Sequence, residues 1–98
     1  MPAFGFLVTL EPQPGKEEAV AAFLRDAKTL VDAEPGTLQW YAFRLDDGSF
    51  GIFDTFDSED DRTTHLHGEV RKALEARGPE MLATKPKIRP VTLIATKP

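Results

Sequence analysis

Two β-favouring runs, Thr37 to Leu45 and Ser49 to Asp57, stand on either side of Asp46-Asp47-Gly48, and this triplet constrains the fold more than any other feature. Asp-Gly between apolar runs is the strongest short signal for a tight hairpin, so the two runs are expected to pair antiparallel. Six of the nine aromatic residues lie between Trp40 and Phe56. That density, with Tyr41 and Asp54 in the hairpin and His65 just after it, suits a small cavity for a flat organic molecule, and equally suits a core. With a two-residue turn at Asp47-Gly48, Tyr41 falls opposite Asp54, Phe43 opposite Ile52 and Gln39 opposite Phe56, all on one face. Leu38, Trp40, Ala42, Phe53 and Thr55 then take the other face.

The flanking segments supply the remaining elements. Ala3 to Leu10 reads as a strand closed by Pro12, Pro14 and Gly15. From Lys16 to Asp32 the apolar residues recur at three- and four-residue spacing, Glu17 and Glu18 occupy the first turn where the helix dipole favours acids, and Pro35-Gly36 stops the run. Ser58 is a good N-cap for a second helix with Leu66, Val70, Ala73 and Leu74 on its apolar face. Its end is expected near Gly78-Pro79, with one further turn over Glu80 to Ala83. Ile88 to Thr96 reads as the last strand, where Pro90 marks an edge or a bulge. The order β-α-β-β-α-β predicts an α+β, ferredoxin-like fold: a four-stranded antiparallel sheet with two helices on one face. A monomer would leave a patch with Phe43, Ile52 and Phe56 uncovered, so a second copy is expected against it.

Composition narrows the partners. Residues 1–98 make a single domain, 41% hydrophobic and 29% charged, as in ordinary globular proteins. The net charge is -4, with Lys and Arg scattered, so no basic stripe is available for nucleic acid. No segment has the length and apolarity to cross a membrane, and the start lacks the basic and apolar regions of a leader, so a cytoplasmic location is expected. Cysteine is absent, which fits a reducing compartment and removes thiol catalysis and thiolate metal sites.

Several motifs, Pro14-Gly15-Lys16-Glu17-Glu18, Glu34-Pro35-Gly36-Thr37-Leu38, Phe50-Gly51-Ile52-Phe53-Asp54-Thr55-Phe56 and the acidic helix start leading to His65-Leu66, resemble those of the antibiotic biosynthesis monooxygenase-like family of the dimeric α/β-barrel superfamily. The likeness runs essentially end to end. It implies a homodimer whose two sheets face each other, with a pocket between sheet and helices in each protomer. In some members it implies oxygenation of anthrones or quinols without a cofactor, while many members have no assigned reaction. Haem-degrading relatives use an Asn on the first strand, a Trp near the end of the third and a His on the next helix. This chain contains no Asn and has Phe56 at the Trp position, which disfavours haem degradation and weakens the tie to oxygenases using the same pair; His65 matches the helix His.

Cofactor-free oxygenation needs a dry site, a proton acceptor and groups that steady the resulting anion. His65 is the candidate base, since histidine titrates near neutrality, although helical periodicity puts it off the Leu66-Val70-Ala73-Leu74 stripe, on a flank or in solvent. His67 lies about 200° further round the helix, so the two histidines do not grip one metal, and His67 is read as a surface or dimer-contact residue. Tyr41 and Asp54 either bind a substrate hydroxyl or orient His65, or they form a plain cross-strand pair at the dimer interface. Trp40, Phe43, Phe53 and Phe56 are the candidate substrate-binding residues, with core packing as the other reading. Arg44 and Arg62 either steady an oxyanion or stay solvated. The expectation is a homodimeric, cofactor-independent monooxygenase taking molecular oxygen and a small aromatic, quinol-type or polyketide-like substrate. A non-catalytic small-molecule-binding dimer, or a lactone or dienone isomerase, using the same pocket is the alternative.

Overall fold

The computed structural model describes residues 3–97. In chain order the elements are β1 (Phe4–Leu10), α1 (Glu17–Asp32), β2 (Gln39–Arg44), β3 (Phe50–Phe56), α2 (Glu59–Leu66), α3 (Glu69–Met81) and β4 (Lys87–Thr92). The strands form one antiparallel sheet in the order β2-β3-β1-β4, the expected ferredoxin-like arrangement. Pro90 lies on the edge strand β4, where a residue without an N–H is tolerated.

One face of the sheet holds the core. Phe6, Val8 and Leu10 of β1 and Phe50, Ile52 and Phe56 of β3 are buried with Val20, Phe23 and Leu24 of α1 and Val70, Leu74 and Met81 of α3. Each large apolar side chain so buried stabilises the fold by about 1.5–3 kcal/mol. The alternation along the strands decides which residues meet the helices and which are left on the opposite, open face.

The hairpin register differs from the expected one by a single residue. The loop has three residues, Asp46 to Gly48, closed by Leu45 N–H to Ser49 O at 2.8 Å and Gly48 N–H to Leu45 O at 3.0 Å. Gly48 takes φ +89°, the left-handed conformation that the third position of such a loop requires. The Asp47 carboxylate accepts from Ser49 Oγ at 2.6 Å and from Ser49 N–H at 2.9 Å, bonds that hold its pKa below the ordinary value. Tyr41 therefore pairs with Phe53, Phe43 with Gly51 and Gln39 with Thr55, while Trp40 stands opposite Asp54. Phe53, Tyr41 and Phe43 share the open face, whereas Ile52 and Phe56, expected there, are in the core. The Phe43 ring lies directly over Gly51, on ground that a Cβ would occupy.

The second helix is broken in two. α2 stops at Leu66, and Gly68 stands as the N-cap of α3. Ser58 caps α2 as expected, its Oγ accepting from Asp61 N–H at 3.1 Å. α3 runs through Pro79 to Met81, past the expected stop. β4 ends at Thr92 instead of Thr96, because Thr92 already faces Phe4, the first residue of β1.

Candidate functional site

The break after α2 turns His65 inward. A single helical wheel from Ser58 to Gly78 places it off the apolar stripe, but that stripe mixes Leu66 of α2 with Val70, Ala73 and Leu74 of α3, two helices with separate axes. His65 is nearly enclosed, with 10% of its side chain exposed, and has a carboxylate on each ring nitrogen. Nδ1 meets Glu34 Oε1 at 2.5 Å and Nε2 meets Asp54 Oδ2 at 3.0 Å. Asp54, 1% exposed on the central strand β3, takes Phe6 N–H on its other oxygen at 3.2 Å. Glu34 also accepts from the Thr37 hydroxyl at 2.8 Å. The Phe56 ring backs the imidazole at 5.2 Å between centroids, tilted by 42°.

Burial alone pushes the His65 pKa down. Hydrogen bonds that the ring donates to Asp54 and Glu34, reinforced by their negative charge, outweigh that effect and raise it above the ordinary 6.5. Its place in the last turn of α2 also suits a cation at the negative end of the helix dipole.

Asp54, His65 and Trp40 border a small chamber of about 30 Å³ between sheet and helices, walled elsewhere by Phe6, Ile52 and Val70. That space accommodates about one water molecule. Arg71, Leu74 and Ile88 belong both to this chamber and to a cleft of about 570 Å³ between the end of α3 and β4. On the other side Trp40 borders both the chamber and a groove of about 790 Å³ between α1 and β2. Among the described residues no group of three or more His, Cys, Asp or Glu is arranged to hold a metal ion.

The structure thus brings together three of the residues singled out in the sequence, His65, Asp54 and Trp40. Tyr41 is separated from Asp54, since one lies on the open face and the other beneath the helices; Tyr41 is 54% exposed. Phe43 and Phe53 are also on the open face, and Phe56 is fully buried behind His65 instead of bordering the chamber. Arg44 pairs with Glu18 at 2.8 Å and lies over the Phe50 ring. Arg62 lies over the Phe4 and Phe6 rings and donates to Val91 O at 3.2 Å, fastening α2 to the sheet. His67 is exposed. Glu34 and Thr37 are the participants that sequence reasoning missed: Glu34-Pro35-Gly36-Thr37 looks like a helix stop, and only its closeness in space to α2 gives it a second role.

The comparisons with known proteins agree with this architecture. The family model for antibiotic biosynthesis monooxygenase matches residues 3–77. No curated protein matches the chain. A solved structure of NE2512, a protein of unknown function from Nitrosomonas europaea, is 40% identical, with a TM-score of 0.95 over 99% of this chain and 94% of that one. A Caulobacter crescentus protein provisionally named an antibiotic biosynthesis monooxygenase is 24% identical, with a TM-score of 0.81 over 96% of this chain and 92% of that one. PA3566 from Pseudomonas aeruginosa is 21% identical, with a TM-score of 0.81 over 97% of each chain. Fold and family model coincide over most of the sequence: the chain belongs to the antibiotic biosynthesis monooxygenase family.

Proposed function

We propose that this protein is a homodimeric, cofactor-independent monooxygenase acting on a small aromatic, quinol-type or polyketide-like substrate, with His65 as the base and Asp54 as its partner. The observation that carries this reading is the Glu34–His65–Asp54 line, whose His65 and Asp54 border a small chamber between sheet and helices. In neutral His65 one ring nitrogen donates to a carboxylate while the lone pair of the other faces the second carboxylate. That repulsion makes the imidazole a strong proton acceptor, and the imidazolium formed is held on both sides. A substrate with an acidified CH₂ beside a ketone gives its proton to His65, and the carbanion then reduces dioxygen. One oxygen atom enters the new C=O group and the other leaves as water with the two hydrogens of the CH₂, so no external reductant is needed. The arginines already engaged with Glu18 and with the sheet are not assigned to this step.

The dimer belongs to the same proposal, since the open face presents Tyr41 and Phe43 as exposed aromatics. The absence of cysteine supports a cytoplasmic setting.

Dissolved-oxygen uptake with a panel of anthrones and reduced quinones tests the reaction, against a no-protein control for autoxidation. Uptake above the control that is lost in His65→Ala is the expected result; no protein-dependent uptake across the panel overturns the oxygenase reading. A second reading, a non-catalytic dimer that binds a small hydrophobic metabolite, is favoured by the engagement of both imidazole nitrogens within the fold. It predicts ligand binding without oxygen uptake.

A further inference from the structure

The two carboxylates that grip His65 are not equivalent. Glu34 Oε1 lies 2.5 Å from Nδ1, whereas Asp54 Oδ2 lies 3.0 Å from Nε2. Of two bonds to carboxylates the shorter is the stronger, so when the ring carries a single proton that proton stays on Nδ1. The carboxylates also face different spaces, Asp54 the small chamber and Glu34 the groove between α1 and β2. Two glycines make room for this arrangement. A Cβ on Gly68 would stand 3.0 Å from Glu34 Oε2 and 3.1 Å from His65 O, and one on Gly36 would stand 2.8 Å from Asp61 Oδ1. Gly68 has φ -87°, and among the described residues only Gly15 and Gly48 take positive φ, so neither Gly36 nor Gly68 is required for its backbone freedom. Each serves as a notch: Gly68 admits the Glu34 carboxylate to the corner between α2 and α3, and Gly36 lets the loop after α1 close on α2. Thr37 then steadies the carboxylate, its hydroxyl donating to the same Oε1 at 2.8 Å.

We propose that Glu34 is a positioning residue: it keeps a proton on His65 Nδ1 and so leaves Nε2, the nitrogen beside Asp54, as the one that accepts the substrate's proton, with Gly68 left bare to admit the Glu34 carboxylate. The inference rests on reading His65 as the base, and it divides the labour between the two carboxylates. Glu34 acts before the transfer, by fixing the tautomer. Asp54 acts after it, by accepting a hydrogen bond from the Nε2–H just formed, while the electron pair of the broken C–H bond stays on the substrate carbon. Glu34 does not border the chamber and acts only through the imidazole.

Labelling the full chain with ¹⁵N in its 2 histidines reads the tautomer directly, since a bare ring nitrogen resonates far downfield of a protonated one. His67→Gln identifies the His65 signals, and spectra are taken at rising pH until the ring holds one proton. In wild type Nδ1–H is expected to exceed Nε2–H by about tenfold, the advantage of the shorter charge-assisted bond. Glu34→Ala leaves Asp54 as the acceptor and inverts the ratio, whereas Glu34→Gln, whose amide oxygen still accepts, restores it. Gly68→Ala moves the ratio in the direction of Glu34→Ala. With anthrone as substrate, Glu34→Ala is expected to lower kcat about a hundredfold with KM unchanged, and Glu34→Gln to recover most of the loss. Nε2–H dominant in wild type, a reading that needs no variant to fold, or a ratio that Glu34→Ala leaves in place overturns the proposal even if His65-dependent oxygen uptake is found. An inverted tautomer with unchanged kcat overturns the positioning role. The expected tautomers without oxygen uptake support the hold of Glu34 on the ring and overturn only the oxygenase reading. A ring that stays doubly protonated until the protein unfolds overturns both, since neither nitrogen is then a base.

Discussion

A histidine with a carboxylate on each ring nitrogen couples folding to pH. The pKa of His65 is raised in the folded protein above the ordinary 6.5, so the native state binds its proton more tightly than the unfolded chain does. The resulting stability is fully present below the unfolded value and is lost as pH rises through the folded one. The urea midpoint of wild type is therefore expected to fall between pH 6 and pH 9 by more than that of His65→Gln, followed by circular dichroism at a series of pH values. Parallel curves for the two proteins would show that Glu34 and Asp54 do not stabilise the imidazolium. The same titration governs the proposed chemistry in the opposite sense, because the base must be neutral to accept a proton.

At the scale of elements, the hairpin depends on a loop whose last residue is left-handed. A β-branched side chain at Gly48, where φ is +89°, meets the steric penalty of that conformation. Gly48→Val is expected to destabilise the protein by about 1–2 kcal/mol, measured by chemical denaturation. A change within a few tenths of a kcal/mol would mean that the loop adopts a second geometry at no cost. This loop also marks how far the sequence could be read. Strand and helix order follow from apolar periodicity and from Pro and Gly stops, and both came through because each is a local property of the chain. Asp-Gly announces a turn, but the choice between two and three loop residues depends on Asp47 capping Ser49. That choice settled whether Tyr41 or Trp40 would share a face with Asp54. In the same way Gly68 interrupts a helix whose apolar pattern continues on both sides of it, and the interruption is what turned His65 inward. Glu34 joins the site through contact with His65, 31 positions away, which periodicity does not report.

For the whole molecule, the open side of the sheet is the largest unfinished business of the fold. Phe43, 37% exposed over Gly51, and Tyr41, 54% exposed beside it, lie there with the half-buried Leu7 and Phe53. Wild type is expected to sediment at twice its 10.9 kDa chain mass, with a melting temperature that rises with protein concentration. Phe43→Glu is expected to sediment as the single chain, since a charge at the centre of an apolar contact is left unpaired. A wild type that is monomeric at every concentration would remove the second copy from the proposal. The three-residue hairpin loop has a further consequence for the lineage of such chains. A relative shorter by one residue at this point can close the same strand pairing with a two-residue Asp-Gly turn, so that its counterpart of Arg44 still meets that of Phe50 and each aromatic keeps its face. A relative that loses one residue yet keeps three in the loop slides one strand past the other by a single position, which sends the counterparts of Tyr41 and Phe43 beneath the helices and that of Trp40 to the open face. Alignments through this loop are thus best judged by whether a gap is absorbed by the turn or by the strands: the first preserves which side each aromatic serves, and a one-residue gap of the second kind reverses it.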